Sequence, residues 1–325
     1  MREAFRRVFP SGLLSFAGGS TARGRGAAGG DQDGDELFDE SFQRRLEVLA
    51  MVARKVHAGR QRAERRTRKI GSGIEFADHR EYAPGDDFRS LDWNVYQRLG
   101  RLLVRLYEEE EDLTVYVLLD ASRSMAHGRP SKLRYGKRVA AALAYVALSN
   151  LDRVSVQTFS DRMDGRLPPT RGKSRIFNVF DFLRGVTPGG ATSTADAFKT
   201  FVAQHDRRGL VLLLSDLYDA AGFEAGINAL RYARFEPHVL HLVDAREAEL
   251  PLRGDLRLVD AETGAGREVT VTDGLLDRYR EAHRTWQQRV ADFCVQKQVP
   301  RYALDVSVPF DDAVLAVLRQ GGILR

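Results

Sequence analysis

A single cysteine, Cys294, in 325 residues excludes an intramolecular disulfide framework and any cysteine-based zinc cluster. That usage fits a reducing compartment, and the cytoplasm is the expected location. Long apolar runs are also missing. The most continuous, Val139 to Leu148, falls well short of the roughly 20 residues a membrane-spanning helix needs, so it reads as a buried helix. Near the amino end Arg6 and Arg7 precede an apolar patch, Val8 to Phe16, interrupted by Pro10, Ser11 and Gly12 and lacking a convincing cleavage site. No signal peptide is expected, and a weak surface anchor is the most membrane contact the patch offers. Charge of one sign is not in large excess either: 50 basic against 45 acidic residues leave +5, too little to draw the whole chain onto nucleic acid or anionic lipid. No nucleic-acid partner is expected, and no internal repeat is evident.

What is present is a hydrophobic fraction of 43%, enough for one main domain with extensions. Residues 1–37 read as a flexible tail, because GGSTARGRGAAGGDQDG (18–34) carries glycine and charge but few side chains worth burying. An N-terminal segment follows over 38–112. In it Phe38, Phe42, Leu46, Leu49, Ala53 and Val56 recur at spacings of three and four, which predicts an amphipathic helix. The basic continuation, Arg54 to Lys69, is read as a solvated helix face or a docking surface for an acidic partner, in preference to a phosphate-binding strip. Further on, Ala83-Pro84-Gly85-Asp86-Asp87 is a turn. Asp92 is expected to cap a short helix and Trp93 to pack into the core. The acidic run Glu108 to Asp112 reads as a solvated connection.

From 113 to 325 the pattern changes to apolar runs alternating with amphipathic stretches. Strands are expected at Thr114–Leu119, Val154–Phe159, Leu210–Leu214 and Val239–Val243, and helices at Lys132–Leu151, Arg175–Leu183, Thr194–Val202 and Phe223–Tyr232. Near-continuous apolar strands separated by helices indicate an α/β fold, a doubly wound, mostly parallel sheet covered on both faces. A hairpin (Leu256–Asp260, Glu268–Val271) and a long helix with Leu276, Tyr279, His283, Trp286, Val290 and Phe293 on one side complete the domain, His283 serving as a core residue.

Asp120 ends the strand TVYVLLD and opens Asp120-Ala121-Ser122-Arg123-Ser124, at the carboxyl edge of the sheet where ligands of open α/β folds collect. One carboxylate and two alternating hydroxyls on a tight loop offer hard oxygens of the kind that suit Mg²⁺, although Ser and Asp also cap helices. Thr192 in the loop PGGATSTADAF and Asp216 after the strand VLLLS deliver oxygens to the same edge. Asp-x-Ser-x-Ser, Gly-Gly-x-Thr and a strand-ending Asp together resemble the metal-ion-dependent adhesion site of von Willebrand factor A domains. The resemblance implies Ser122, Ser124 and Thr192 as hydroxyl ligands of Mg²⁺ or Mn²⁺, with Thr194 as a substitute for Thr192. Asp120 and Asp216 would bind directly or through water, and an acidic residue of a partner would fill an open position. A second resemblance rests on GSGIEFADHREYAPGDDFRSLDWNVYQRLG, LLDASRSM, LLLSDLYD and DAREAELPLRGDLRLVDAETG. These stretches, in this order, are similar to the von Willebrand factor A-like family DUF58. Membership implies a chaperone-like or adaptor role beside a MoxR-type AAA+ ATPase, which would be the partner, or its client. Asp86, Asp87 and Asp92 would then offer a surface to the ATPase, though turn closure and capping account for them more simply.

Rival chemistry is weaker. A haloacid-dehalogenase-like phosphatase would need an acid two positions after Asp120, where Ser122 stands. Gly172-Lys173-Ser174 imitates the end of a P-loop, but Leu167 replaces the required glycine, and Pro168 and Pro169 argue against a strand leading into it. His238 and His241, three apart on a strand, point to opposite faces and cannot share a metal. Ser124 and His127 lack the esterase elbow. A non-enzymatic, metal-dependent interaction module is therefore the expectation, with a metal-independent scaffold acting through the basic segment as the alternative.

Overall fold

A computed structural model describes residues 14–15, 37–64, 70–71, 75–108, 114–250, 252–260 and 266–320. The chain divides into two compact units, Met1–Arg54 with Leu113–Arg325, and Lys55–Asp112. The division therefore differs at its amino end from the expected break between 38–112 and 113–325. Residues up to Arg54 belong to the larger unit because Phe38, Phe42, Leu46, Leu49 and Ala53 are buried in its core. Asp39 caps this helix, α1 (Glu40–Glu64), by accepting the Phe42 N–H at 2.8 Å, and so fixes where the stripe begins. The rings of Phe38 and Phe180 then stack with centroids 4.5 Å apart, and Phe42 meets Phe310 at 4.7 Å. Most of the expected tail, the side chains of the basic run from Lys55, and residues 109–112 of the acidic run lie outside the described residues.

The smaller unit holds strands β1 (Glu75–Glu81) and β2 (Leu103–Glu108), paired antiparallel, with helix α2 (Trp93–Leu99) between them and Ile70–Gly71 on the far side of β2. Asp86 closes the expected turn by accepting the Ala83 N–H. Asp92 caps α2 through the N–H groups of Asn94 and Val95, while its other oxygen takes His79 and Arg105. The hydrogen bonds from Arg105 and His79 hold its carboxyl well below the usual range. Trp93 corrects the sequence expectation. It is 56% exposed, and its ring meets that of Tyr96 edge-on, 6.2 Å between centres, instead of entering a core.

In the larger unit the elements run β3 (Thr114–Asp120), α3 (Lys132–Ser149), β4 (Arg153–Phe159), β5 (Met163–Arg171), α4 (Ile176–Arg184), α5 (Thr194–Gln204), β6 (Leu210–Ser215), α6 (Glu224–Tyr232) and β7 (Glu236–Val243). After these come β8 (Gly254–Asp260), β9 (Gly266–Val271), α7 (Asp273–Gln296), β10 (Arg301–Asp305) and α8 (Phe310–Gln320). Six strands form the central sheet in the order β10-β7-β6-β3-β4-β5, all parallel except β5. The fold is a doubly wound, mostly parallel α/β arrangement with helices on both faces. Alternation along β3 explains both layers: Val115, Val117 and Leu119 enter one core, with α3, α4 and α8, whereas Tyr116 and Leu118 enter the other, with α5, α6 and α7. The hairpin β8–β9 and the helix α7 stand where the sequence placed them.

One expectation fails at the sheet's edge. A strand does lead directly into Gly172-Lys173-Ser174, for β5 accommodates Pro168 and Pro169 in a register shift where no N–H is required of them. The ammonium of Lys173 rests over the Tyr145 ring, 5.4 Å from its centre. Among the described residues no helix is long and apolar enough to cross a membrane.

Candidate functional site

At the carboxyl edge of the sheet, β3 ends on Asp120, which has no exposed surface. Its Oδ1 accepts the Ser122 N–H at 2.9 Å and its Oδ2 accepts the Ser215 hydroxyl at 2.5 Å. The first bond closes the tight loop; the second ties the end of β3 to the end of β6, its neighbour in the sheet. Ser122 precedes a 3-10 turn, Arg123–Ala126, yet makes no side-chain cap to it. Capping was the plain structural account of this serine, and the hydroxyl is placed otherwise: its Oγ lies 3.0 Å from that of Ser124, and both residues are fully buried.

The Thr192 loop is fastened to this one through the backbone. Gly189 N–H donates to the Ala121 carbonyl at 2.8 Å, and Arg123 N–H donates to the Gly190 carbonyl at 3.2 Å. Gly190 takes φ +72°, and a Cβ there would come within 3.0 Å of the Ser160 hydroxyl, so the close approach needs glycine. Thr192 is buried in this loop, 5% exposed. Two residues on, the hydroxyl and the N–H of Thr194 both donate to Asp219 Oδ2, at 2.7 and 2.8 Å.

Asp216 follows β6 and is also buried. Its Oδ1 accepts the Tyr218 N–H, and its Oδ2 accepts Lys132 Nζ at 2.7 Å. Lys132 has no exposed surface; it also reaches Glu247 Oε1 at 2.8 Å and lies 4.9 Å from the centre of the Tyr218 ring. The backbone carbonyl of Asp216 is held too: His241 Nε2–H donates to it at 3.2 Å while His241 Nδ1 accepts from Arg301. The three distant stretches 120–124, 189–192 and 215–216 thus converge, and Asp120, Ser122, Ser124, Thr192 and Asp216 stand at one edge.

Electrostatics follow from burial. Asp120 is pushed up to about 7, first by loss of solvent and then by the charge of Asp216, against the pull of the Ser215 and Ser122 bonds. Burial alone would lower Lys132, but Asp216 and Glu247 outweigh it and keep the amine above its ordinary range. Glu247 is raised because burial exceeds the attraction of Lys132. Burial and the neighbouring Arg301 bring His241 down to about 3, so its ring is neutral.

The donor set can be tested against a divalent ion. Hydroxyl and carboxylate oxygens are hard ligands. Among the described residues no three His, Cys, Asp or Glu side chains gather as ligands, so an ion here would depend on the serine and threonine hydroxyls. Two buried carboxylates, Asp216 and Glu247, meet one ammonium, Lys132, while a third, Asp120, meets none among the described residues, so the cluster has room for the positive charge a divalent cation would bring. The residues fit such an ion, with one qualification: Asp216 already shares an oxygen with Lys132. Sequence reasoning missed Lys132, Ser215 and Glu247. The one local signal was a lysine at the first position of an apolar helix, where the helix dipole disfavours a cation.

The family described as a protein of unknown function, DUF58, matches residues 78–289. The chain is 27% identical over 226 residues to the uncharacterized protein Rv1480 of Mycobacterium tuberculosis, covering 68% of this chain and 71% of that one. It is 35% identical over 85 residues to the uncharacterized protein MAV169 of Mycobacterium avium, covering 26% and 50%. Of solved structures, the conserved hypothetical protein BatB from Bacteroides thetaiotaomicron is similar over 64% of this chain and 96% of its own, at 17% identity and a TM-score of 0.40. The pilus adhesin SpaC from Lactobacillus rhamnosus GG is similar over 65% and 30%, at 14% identity and a TM-score of 0.38.

Proposed function

We propose, from the premise that the chain belongs to the DUF58 family, that it is a protein-interaction module binding a carboxylate of a partner through a divalent cation, Mg²⁺ or Mn²⁺. Ser122, Ser124 and Thr192 would hold the ion with their hydroxyls, Asp120 and Asp216 with carboxylates directly or through water. Asp120 carries this reading. It is a fully buried carboxylate beside two buried serine hydroxyls 3.0 Å apart, and among the described residues it has no cationic side chain as a partner. An unpaired buried carboxylate is costly, and an ion in this place offsets the cost. We read the role as binding in preference to haloacid-dehalogenase-like phosphatase chemistry, because the position where that enzyme carries its proton-transferring acid is Ser122, whose hydroxyl lies 3.0 Å from that of Ser124.

The partner we propose is a MoxR-type AAA+ ATPase or its client, met in the cytoplasm, with this chain as adaptor; that part rests on the family. Isothermal titration with Mg²⁺ should give a saturable heat for the native chain and none for Asp120→Ala. Equal heats from both, or none from either, would discard the ion. Capture of a partner from host extract should be lost in EDTA and with Ser122→Ala. Capture that survives both but disappears on removal of 54–69 would transfer the function to the basic segment.

A further inference from the structure

We infer that Lys132 is a resident counter-cation of this site and sets how tightly a divalent ion is held, by taking a share of Asp216. The inference rests on the metal-dependent reading above and adds to it residues outside the hydroxyl and carboxylate set.

Lys132 occupies a place that a lysine does not reach without cause. It is the first residue of α3, where the unpaired N–H groups and the helix dipole repel a cation. Its ammonium is removed entirely from solvent, which is costly unless carboxylates meet it. Two do, at 2.7 Å from Asp216 and 2.8 Å from Glu247, with the face of Tyr218 beside them. Asp216 therefore presents to an ion a charge that Lys132 has partly spent, and Glu247 restores part of it from the far side. Oδ2 of Asp216 is engaged by Lys132, so part of this aspartate's charge is met before any ion arrives, whereas among the described residues no ammonium meets Asp120, Ser122 or Ser124.

Charge count then gives two opposite expectations. Removing the ammonium leaves Asp216 and Glu247 uncompensated and strengthens the field that a dication meets. Removing the charge of Glu247 leaves Lys132 opposing Asp216 alone and weakens it. A merely structural salt bridge behaves differently, since breaking it from either side damages the site in the same direction.

The test is titration of Mg²⁺ and Mn²⁺ into the full chain, native, Lys132→Met and Glu247→Gln, with thermal midpoints in EDTA and in Mg²⁺. Lys132→Met should bind about tenfold or more tightly and Glu247→Gln about tenfold or more weakly, the scale expected when one unit charge beside a dication changes in a poorly solvated site. The midpoint of Lys132→Met should also depend on Mg²⁺ more steeply than that of the native chain, because the ion replaces the lost ammonium. Two variants with native affinity, or two variants both weakened, would overturn the inference. No binding by any of the three proteins would instead remove the metal reading itself, a distinct result. Should Lys132→Met fold only in Mg²⁺, that rescue supports the inference; should it fold in neither condition, the affinity of Glu247→Gln decides, a native or higher value counting against it.

Discussion

His205 stands at the carboxyl end of α5 and shows what a single buried side chain contributes. Its Nδ1–H donates to the Phe201 carbonyl at 2.8 Å, its Nε2 accepts from Gln157, and Tyr116 and Phe201 pack against the ring. Burial lowers its affinity for a proton below the ordinary 6.5. The unfolded chain then binds a proton that the folded chain refuses, so stability rises with pH and is lost as pH falls through and below 6.5. Urea midpoints measured from neutral pH into this acid range should fall for the native protein. For His205→Gln, which keeps a polar side chain without the titrating ring, they should fall less steeply, and equal slopes would show that the ring is protonated without penalty. Asp92, on the other unit, differs in that its low proton affinity comes from the bonds of Arg105 and His79 and not from burial.

Elements differ in how plainly the sequence announces them. Strands β3, β4, β6 and β7 were legible because they are buried on both faces, which writes an unbroken apolar run. Strand β5 was not. As an edge strand with Gly165, Pro168 and Pro169 it alternates half-buried and exposed positions and resembles a loop. Strand β10 is five residues with only Tyr302 and Leu304 buried, too short to register, and α8 behind it went unread. Asp120, Ser122 and Ser124 were readable from local spacing, since a loop motif is written in neighbouring positions, whereas Ser215 and Glu247 enter the cluster through distant contacts. The Lys132–Asp216 pair spans 84 positions and leaves no such pattern. Helices α5 and α6 illustrate a contact that depends on a missing side chain. A Cβ on Gly226 would stand 2.7 Å from the Thr194 carbonyl oxygen, closer than van der Waals contact allows. Gly226→Ala should therefore force the two helices apart and cost about 1–3 kcal/mol, read as a lower urea midpoint, despite the better helix propensity of alanine. An unchanged midpoint would mean that the pair slides freely.

For the whole molecule, the sheet order places its two central strands, β3 and β6, where both candidate carboxylates leave the sheet, and puts the least apolar strand at the outside. Pro168 and Pro169 stand on that outer strand, flanked by Arg166 and Arg171. A ladder cannot extend through consecutive residues that have no amide hydrogen, and arginines on the same margin repel a second copy approaching side by side. Replacing both prolines with threonine should leave the fold in place and raise the rate of light scattering on mild heating; scattering no faster than the native chain would show that the margin is protected by other means. The same two residues that disguise β5 as a loop thus act as a terminus for lateral growth at that edge of the sheet.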